Sequence, residues 1–576
     1  MSNRDVAAVF EQIADLLEIQ QADGFRVNSY RRVARIIDDL TEDLAAIDAR
    51  DGLEKVPGIG KGSAGRIREY LQTGRIATHQ ELVGQTPGGL PRLLEVRGLG
   101  PKKVALLWKR LGVTSLDDLA AAIESGKLVD LPGLGAKSVE QIKAGLAFLR
   151  ASTGRTPLGI ARTVADATAA EVRRIEGVRR AEIAGSCRRG CETIGDLDLL
   201  CEAADGPAVI EAFTKLPAVE EVLAAGQTKG SVVVSLADGG RLQADLRVVA
   251  KAEFGAALQY FTGSKDHNVR LRERAGARKL KLNEYGLFAG ERRVAGAEEQ
   301  GLYSKLGLAF VPAELREDRG EVAAAAEGRL PDLVTLDDVR GDLHCHTVAS
   351  DGHNTIEEMA AAAKQRGYEY LAIADHTASS AIAHGLSPQR MAEQIETIRR
   401  ADKQIEGLRL LVSCEVDILA DGRLDYPDEL LAECDIVTAS IHSALTQDRK
   451  KVTARSVRAI EHPQVDILGH PTGRLLGRRD AMDLDMAAVI AAAAAHGKAL
   501  ELNASWQRLD LKDTHVRQAV EAGVTVAVCT DAHSIDQLDQ MGFGITTARR
   551  GWATADTVLN ARPLAALRAW LTTRHG

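Results

Sequence analysis

Four features are missing from this sequence, and each absence excludes a class of protein. Its seven cysteines are odd in number and form no CxxC pair, which argues against a disulfide framework. The longest apolar run, around Ala487–Ala495, is far shorter than a membrane span, and no charged-then-apolar leader opens the chain. The net charge of −8 argues against a histone-like coat on nucleic acid. We therefore expect a soluble cytoplasmic protein with no membrane partner.

The 576 residues are too many for a single core and predict about three or four domains. The first 150 residues or so have the apolar spacing of short amphipathic helices. From about Gly159 to Pro312, strands such as SVVVSL and RLQADLRVV flank a turn at Asp238–Gly240, which favours an antiparallel hairpin. Residues 317–330 have the composition of a linker, and from Val339 onward strands and helices alternate as in a β/α barrel.

A motif of two glycines and a lysine occurs three times in the helical part. The glycines allow a tight turn, and the free N–H groups of the following helix suit a phosphate oxygen. One copy is explained equally well by an ordinary turn between helices with a solvated lysine. Three copies favour a helix-hairpin-helix array that grips the nucleic-acid backbone without reading bases. The sets are Gly58, Gly60 and Lys61; Gly98, Gly100 and Lys102; and Gly133, Gly135 and Lys137.

A first carboxylate site is predicted where Asp196 and Asp198 lie two residues apart on a strand and therefore share one face. Two like charges that close are unfavourable unless a cation lies between them. Asp245, in the strand LQADLRVV, can complete a set that suits two Mg²⁺ or Mn²⁺ ions. An isolated Asp-x-Asp is more often a surface feature. Here, however, the Gly-Ser turn with two arginines at Gly185–Gly190 is typical of a binding site for a triphosphate.

A second site is predicted by the histidines, because twelve of the fourteen follow Val339. A single histidine is more often a hydrogen-bonded structural residue than a ligand. Here, however, separate strand ends all present ligand chemistry, which indicates one polynuclear metal site on a barrel rim. Mixed imidazole and carboxylate ligands suit Mn²⁺, Zn²⁺ or Fe²⁺ better than Mg²⁺. The nine residues are His344, His346, Asp351, His376, Glu415, His442, His470, Asp531 and His533.

The first site resembles the palm of the nucleotidyltransferase superfamily, and the run Tyr260–Ser264 with Asn268 and Arg272 resembles the thumb of family X DNA polymerases. The resemblance implies that the three aspartates hold two metal ions and that Asp245 helps to activate the primer 3′-hydroxyl. It also implies that Tyr260 and Phe261 lie under the sugar, while Asn268 and Arg272 face the minor groove. The other residues it implies around the nucleotide are Arg155, Gly185, Ser186, Arg189, Gly195 and Gly263.

The histidine-rich segment resembles the PHP (polymerase and histidinol phosphatase) domain, a distorted (β/α)₇ barrel with a trinuclear metal site. The whole chain is then similar to bacterial family X DNA polymerases. This resemblance implies metal-assisted 3′→5′ exonuclease or phosphodiesterase action, with Glu415 bridging ions, and trimming of abasic sites. Arg474, Arg478 and Arg479, which follow His470, could hold the DNA backbone or form a solvated loop.

Two positions depart from the family pattern. Relatives with deoxyribose-phosphate lyase activity carry a Schiff-base lysine where this sequence has Arg66, whose guanidinium stays protonated and cannot act as a nucleophile. We therefore expect weak lyase activity or none. Gln243 stands where relatives such as polymerase beta have arginine, which changes the charge beside Asp245.

We therefore expect a multidomain repair polymerase that acts on gapped or nicked DNA or a primer–template with dNTPs. We expect it to be a monomer near the nucleoid. Two alternatives are a small-molecule phosphatase delivered by the front half, and a DNA-end scaffold with an idle polymerase site. The expected parts are a helical DNA-binding domain with the first hairpin (1–80), an all-α helix-hairpin-helix domain (81–150), an α+β nucleotidyltransferase palm and thumb (151–315), a linker (316–338) and a PHP barrel (339–576).

Overall fold

The chain divides into two compact units, Met1–Gly154 and Arg155–Gly576. Two parts of the sequence predictions lie outside the described residues: Lys137 of the third hairpin, and Asp238 with Gly239 of the predicted turn. Among the described helices, none is long and apolar enough to cross a bilayer. The structure, a computed structural model, describes residues 3–20, 22–38, 44–50, 52–87, 90–94, 96, 98–129, 131–135, 138–143, 145–146, 155–236 and 240–575.

The first unit is helical, and its three glycine turns share one geometry. Gly58, Gly98 and Gly133 have φ values of 94°, 93° and 78°, which only glycine adopts without strain. Each turn is closed by a backbone hydrogen bond, such as the 3.0 Å bond from Ile59 N to Val56 O. A helix follows each turn; the third is described over residues 138–143 and 145–146. The named helices are α1 (Asn3–Ile19), α2 (Gly24–Asp38), α3 (Leu44–Ala49), α4 (Lys61–Thr73), α5 (Ala77–Gln85), α6 (Leu90–Leu93), α7 (Pro101–Leu111) and α8 (Leu116–Glu124).

The second unit begins with a palm-like sheet whose strand order is β2-β4-β7-β6-β5. β4 and β7 are parallel, whereas β6 and β7 form the predicted antiparallel pair. Apolar residues of α9 and α11 cover one face of the sheet. The elements are β1 (Thr156–Pro157), α9 (Leu158–Arg174), β2 (Arg180–Ile183), α10 (Gly185–Arg188), β3 (Thr193–Ile194), β4 (Leu197–Glu202), α11 (Gly206–Phe213), β5 (Val219–Ala225), β6 (Lys229–Ser235) and β7 (Arg241–Val249).

The thumb-like part follows, and the predicted linker is packed against it rather than solvated. Arg316 is fully buried and donates to Glu299 at 2.7 Å, while Glu321 accepts from His267 at 2.6 Å. The predicted linker is therefore rich in charged residues because some of them form buried ion pairs. Such pairs leave no apolar periodicity in the sequence. The elements are α12 (Phe254–Thr262), α13 (Lys265–Ala277), β8 (Lys281–Asn283), β9 (Gly286–Ala289), β10 (Arg292–Ala295), α14 (Glu299–Lys305) and α15 (Glu321–Ala326).

Seven parallel strands in the order β11 to β17 form the predicted β/α barrel, and this prediction is confirmed. Backbone bonds close the ring between its first and last strands: His346 N donates to Ala532 O at 2.8 Å and Asp531 N to His344 O at 3.0 Å. The strands are β11 (Gly341–Cys345), β12 (Tyr370–Ile373), β13 (Arg409–Asp417), β14 (Ile436–Ser440), β15 (Ile467–Leu468), β16 (Ala499–Asn503) and β17 (Val526–Cys529); the helices are α16 (Ile356–Gln365), α17 (Pro388–Gln404), α18 (Asp428–Leu431), α19 (Arg449–Glu461), α20 (Met486–His496), α21 (Asp513–Glu521), α22 (Met541–Arg550) and α23 (Leu564–His575).

The palm packs directly on the barrel through glycines that leave no room for a side chain. A Cβ at Gly159 would lie 2.3 Å from Trp506 Cγ, and one at Gly190 would lie 2.1 Å from Thr546 Cγ2. The close approach of the two parts thus depends on residues with no Cβ.

We expect Gly159→Ala to lower the free energy of unfolding of the second unit by about 1–3 kcal/mol, because the added methyl group overpacks against the Trp506 ring. Urea denaturation would measure the loss. Gly276→Ala is the matched control, since no described heavy atom apart from its neighbours and the local backbone of α13 lies within 4 Å of its Cβ position. There the substitution should be neutral or stabilising by about 0.5–1 kcal/mol. Equal effects at both positions would contradict the close contact.

Candidate metal centres

Glu415, on β13, lies among the barrel histidines and is fully buried. Its Oε1 is 3.3 Å from His442 Nε2 and 2.9 Å from His470 Nε2. Its Oε2 is 3.5 Å from His344 Nε2 and 2.9 Å from His376 Nδ1. One carboxylate is therefore shared by imidazoles from four other strand ends, which is the geometry of a ligand that bridges metal ions.

Two further carboxylates extend the cluster. Asp531 Oδ1 is 3.0 Å from His346 Nε2, and Asp351 Oδ1 is 3.4 Å from His533 Nε2 and 3.6 Å from His376 Nε2. The structure thus brings all nine predicted ligands into one cluster. Ligand atoms within 4.8 Å of one another form three overlapping sets: His346, Asp351, His376 and His533; His344, His346 and Asp531; and His376, Glu415 and His442.

The donors in this cluster fit metal ions. His344 Nε2 and Glu415 Oε2 are buried. Although other donors and acceptors lie close by, neither atom makes a hydrogen bond of acceptable geometry with the described residues. A buried polar atom left unpaired costs about 1–3 kcal/mol, which coordination of an ion would offset. Imidazole nitrogens and carboxylate oxygens together suit Mn²⁺, Zn²⁺ or Fe²⁺.

The charges of the cluster depend strongly on one another. Burial alone would raise the pKa of Glu415, but the neighbouring His442, His344 and His376 hold it well below its usual range. Burial would lower the pKa of His442, yet Glu415 and Asp417 raise it to about 10. Burial together with the charges of nearby histidines lowers the pKa of His346 to about 3. Metal ions therefore compete with protons on His442 more than on His346.

Sequence reasoning missed two carboxylates that orient the ligands. Glu501, on β16, accepts a 2.7 Å hydrogen bond from His344 Nδ1 and another from the backbone N–H of His470. Asp417 lies 2.5 Å from His442 Nδ1. Such partners fix the ring orientation of metal ligands. Their positions in the sequence could have indicated both residues. Glu501 lies on β16, a strand for which no ligand was predicted. Asp417 lies two residues after Glu415 and therefore on the same face of its strand.

Two arginines near the cluster have different surroundings. Arg474, which could have held DNA, is instead largely buried, and it donates to Glu192 of the palm at 2.7 Å and to Arg508 O at 2.9 Å. The Nε of Arg508 lies 3.5 Å from Asp531 Oδ2, and its Nη1 is buried with no hydrogen-bond partner in the described part of the chain. Arg508, which sequence reasoning did not select, is therefore the arginine directed at the cluster.

The palm triad lies where β4 and β7 pair in parallel register, Asp198 opposite Asp245. Asp196 directly precedes β4. Burial, followed by repulsion from Asp196 and Asp245, raises the pKa of Asp198 to about 7. A Cβ at Gly185 would lie 2.2 Å from Asp198 Oδ2, so this glycine permits the close approach of the carboxylate. Three repelling carboxylates are a donor set that fits divalent cations bound through oxygen.

Both oxygens of Asp245 already have partners. Lys229 Nζ lies 2.6 Å from Oδ2, and Gln243 Nε2 donates to Oδ1 at 2.9 Å. Burial would raise the pKa of Asp245, but the hydrogen bonds from Lys229, Gln243 and Ser231 lower it. Gln243, which stands where relatives such as polymerase beta have arginine, is thus in direct contact with Asp245. Lys229 supplies the positive charge beside that carboxylate.

Among the predicted nucleotide residues, Arg189 and Asn268 are engaged within the protein. Arg189 donates to Glu317 at 2.9 Å and to Thr262 O at 2.5 Å. Asn268 donates to Tyr260 O at 2.8 Å and accepts from Gln259 at 2.7 Å. Either side chain would have to leave these bonds before it could contact a nucleotide or the minor groove.

The other residues predicted to lie around the nucleotide have varied surroundings. The rings of Tyr260 and Phe261 meet edge to face at 5.1 Å between centroids. Arg155 donates to Thr193 Oγ1 at 2.9 Å. A Cβ at Gly263 would lie 3.3 Å from Arg189 Nη1, so Gly263 borders that arginine. The others retain some solvent exposure: Ser186, Gly195 and Arg272.

In the first unit, the second hairpin lines a groove of about 570 Å³ that includes Gly98, Gly100, Lys102, Glu18 and Arg31. The helices after the first and second hairpins begin at glycines without a side-chain cap. The first N–H groups of α4 therefore remain available to an acceptor such as a phosphate oxygen. In α7 the first residue is Pro101, which has no N–H, so the first N–H of that helix belongs to Lys102.

Lys61 of the first hairpin is exposed, as are Gly60 and Gly135. Arg66, at the position of the family lysine, donates to Gly62 O at 2.9 Å and lies over the Tyr30 ring at 5.4 Å.

Known families match successive parts of the chain. A helix-hairpin-helix domain matches residues 1–76, a SAM-like helix-hairpin-helix tandem residues 90–147, the DNA polymerase beta thumb residues 257–317, and the PHP domain residues 342–505.

Relatives match either the whole chain or its barrel. The DNA polymerase/3′-5′ exonuclease PolX of Bacillus subtilis (strain 168) is 38% identical over 575 residues, 99% of each chain. A probable phosphatase of Thermoanaerobacter sp. (strain X514) is 30% identical over 231 residues, which cover 38% of this chain and 89% of the phosphatase. A probable phosphatase of Shewanella sp. (strain MR-4) is 30% identical over 236 residues, 39% of this chain and 89% of its own.

Proposed function

Because this chain belongs to the family X DNA polymerases that carry a PHP domain, it is a DNA polymerase with a 3′–5′ exonuclease, and we propose that each activity has its own metal site. Synthesis would take place at the palm triad and hydrolysis in the barrel cluster. The observation that supports the barrel site is the position of Glu415, which lies within 3.5 Å of histidine nitrogens from four other strand ends.

In the synthesis site, Asp196, Asp198 and Asp245 would hold two Mg²⁺ or Mn²⁺ ions. These ions would activate the primer 3′-hydroxyl and neutralise the departing pyrophosphate. Lys229 and Gln243 hold the Asp245 carboxylate in place through its two oxygens. The triphosphate would lie against Arg155, Ser186, Arg189 and Gly195, and the sugar against Tyr260 and Phe261.

For Arg189 to bind a phosphate, its guanidinium must break its ion pair with Glu317 and pair with the nucleotide instead. The glycine hairpins would hold the phosphates of a gapped or nicked duplex, or of a primer–template. A monomer at the nucleoid suits this role, because each chain contains both sites and its substrate is DNA.

In the barrel, the nine clustered residues would hold three ions of Mn²⁺, Zn²⁺ or Fe²⁺. Such ions supply an activated water and charge for the departing 3′-oxygen. Glu501 and Asp417 keep the imidazoles of His344 and His442 in ligand orientation. Arg508 would contact a phosphate oxygen of the DNA strand, because its unpaired Nη1 is buried beside Asp531.

Paired substitutions test the division. Asp196→Ala should reduce templated dNTP incorporation by more than about 100-fold and leave 3′ resection intact, and His344→Ala should do the reverse. Both variants are assayed on one primer–template with Mg²⁺ and with Mn²⁺. If either variant lost both activities, or if it lost neither, the proposal of two independent sites would be refuted.

A second candidate for the barrel is hydrolysis of small phosphate esters, favoured by its likeness to two probable phosphatases. Wild-type protein is assayed with histidinol phosphate beside the DNA substrates. Turnover of the small ester well above that of a DNA 3′ end would favour this candidate for the barrel.

A further inference from the structure

Residues 378–385, between β12 and α17, form a loop that projects into solvent, with an apolar side chain at its tip. Ile382 is 98% exposed, the highest exposure among the large apolar side chains that the structure describes. The base of the loop is closed by a 2.8 Å hydrogen bond from Leu386 N to His376 O. Gly385 packs so closely that a Cβ would lie 1.9 Å from Thr377 O. The loop is therefore a fixed projection with a solvent-exposed isoleucine.

The base of this loop is joined to the metal cluster. Ser380 Oγ donates to Asp417 at 3.0 Å, Ser379 Oγ bonds the same carboxylate, and Asp417 lies 2.5 Å from His442 Nδ1. Consecutive Cα atoms are about 3.8 Å apart, so the Cα of Ile382 lies within about 8 Å of the Cα of Ser380.

A second apolar side chain lies on the neighbouring loop. Val348 follows the predicted ligand His346 by two residues and is 41% exposed. Arg390 links the two loops, since it donates to Ala349 O at 2.6 Å and to His384 O at 3.2 Å. The two exposed apolar side chains thus stand on loops that are held together beside the cluster.

We propose that Ile382, with Val348 on the adjoining loop, forms an apolar wedge that contacts the terminal base pair of a DNA 3′ end whose phosphodiester lies in the barrel cluster. The inference rests on the nuclease function proposed above. The Cα of Val348 lies within about 8 Å of the Cα of the predicted ligand His346. A strand whose phosphate reaches the ions therefore passes beside the two linked loops. Apolar side chains that press on a base step unstack it, and a frayed end enters a buried site more easily than a paired one.

The test compares Ile382→Ser with wild type on three substrates: a matched duplex 3′ end, a mismatched 3′ end and a single strand. We expect resection of the matched end to fall about 10-fold, through loss of the apolar contact, while the mismatched end and the single strand change little. Ile382→Leu should keep the wild-type pattern. Leu336→Ser, at another exposed apolar residue (53%), is the control for a general surface effect.

Fluorescence of 2-aminopurine as the 3′-terminal base reports opening of the pair independently of cleavage. A phosphorothioate at the terminal linkage keeps the DNA whole during this measurement. Wild type should raise the emission, and Ile382→Ser should not. Equal slowing on all three substrates, or no change on any, would overturn the wedge. A lower self-association of Ile382→Ser in sedimentation, with unchanged resection, would overturn it in favour of contact with a second copy. Absence of resection by wild-type protein would instead refute the nuclease function.

Discussion

Glu415→Gln should reduce 3′ resection by more than about 100-fold and lower the number of metal ions bound by the barrel, while dNTP incorporation stays at the wild-type level. The physical reason is that a single carboxylate lies within 3.5 Å of nitrogens of four histidines. The amide keeps the shape but loses the negative charge and offers one oxygen instead of two. Metal content by mass spectrometry and resection of a labelled single strand give the two readouts.

The matched control is Glu429→Gln, an exposed glutamate at the start of α18 in the same barrel. It should change neither readout. Because Glu415 is fully buried, the folded state of its variant is checked by the synthesis activity of the same preparation. Full metal content with full resection in Glu415→Gln would refute its bridging role.

The barrel could be predicted from the sequence because its ligands follow separate strands, and the carboxyl ends of parallel strands meet at one rim. That Asp196 and Asp198 lie on one side of the chain was predicted from their period-two spacing. The register that puts Asp198 opposite Asp245 is known from the structure. Both inferences need only local pattern. The three hairpins could also be predicted from a local pattern, because the first glycine of each has a positive φ that glycine adopts readily.

What the sequence could not provide are contacts between distant charged residues. Arg550, on the last turn of α22, donates to Glu317 at 2.9 Å and to the backbone O of Arg189 at 2.7 Å. These bonds join barrel, predicted linker and palm, but no periodicity marks an arginine as buried. For the same reason the segment around Glu317 has the composition of a linker, and Glu501 was not selected as a ligand partner although it lies on β16.

Asp198→Asn should raise the stability of the metal-free second unit at pH 8 while it reduces dNTP incorporation by more than about 100-fold. Burial and the neighbouring carboxylates raise the pKa of Asp198 to about 7 in the folded chain, against an ordinary value of 3.8. Between those values the folded state binds more protons than the unfolded state, so stability falls as pH rises through the window and the whole loss is present above pH 7. The amide carries no charge at any of these pH values.

We expect the free energy of unfolding of wild-type protein in EDTA to fall between pH 5 and pH 8 by on the order of 2 kcal/mol more than that of Asp198→Asn, after screening by solvent. Mn²⁺ should restore much of the loss in wild type, because the ions neutralise the same carboxylates, and less in the variant. Asp337→Asn, at an exposed carboxylate remote in sequence from the triad, should follow wild type throughout. An Asp198→Asn protein less stable than wild type at pH 8 without metal would mean that the triad is not a site of repulsion, and the argument for cations between these aspartates would lose its electrostatic basis.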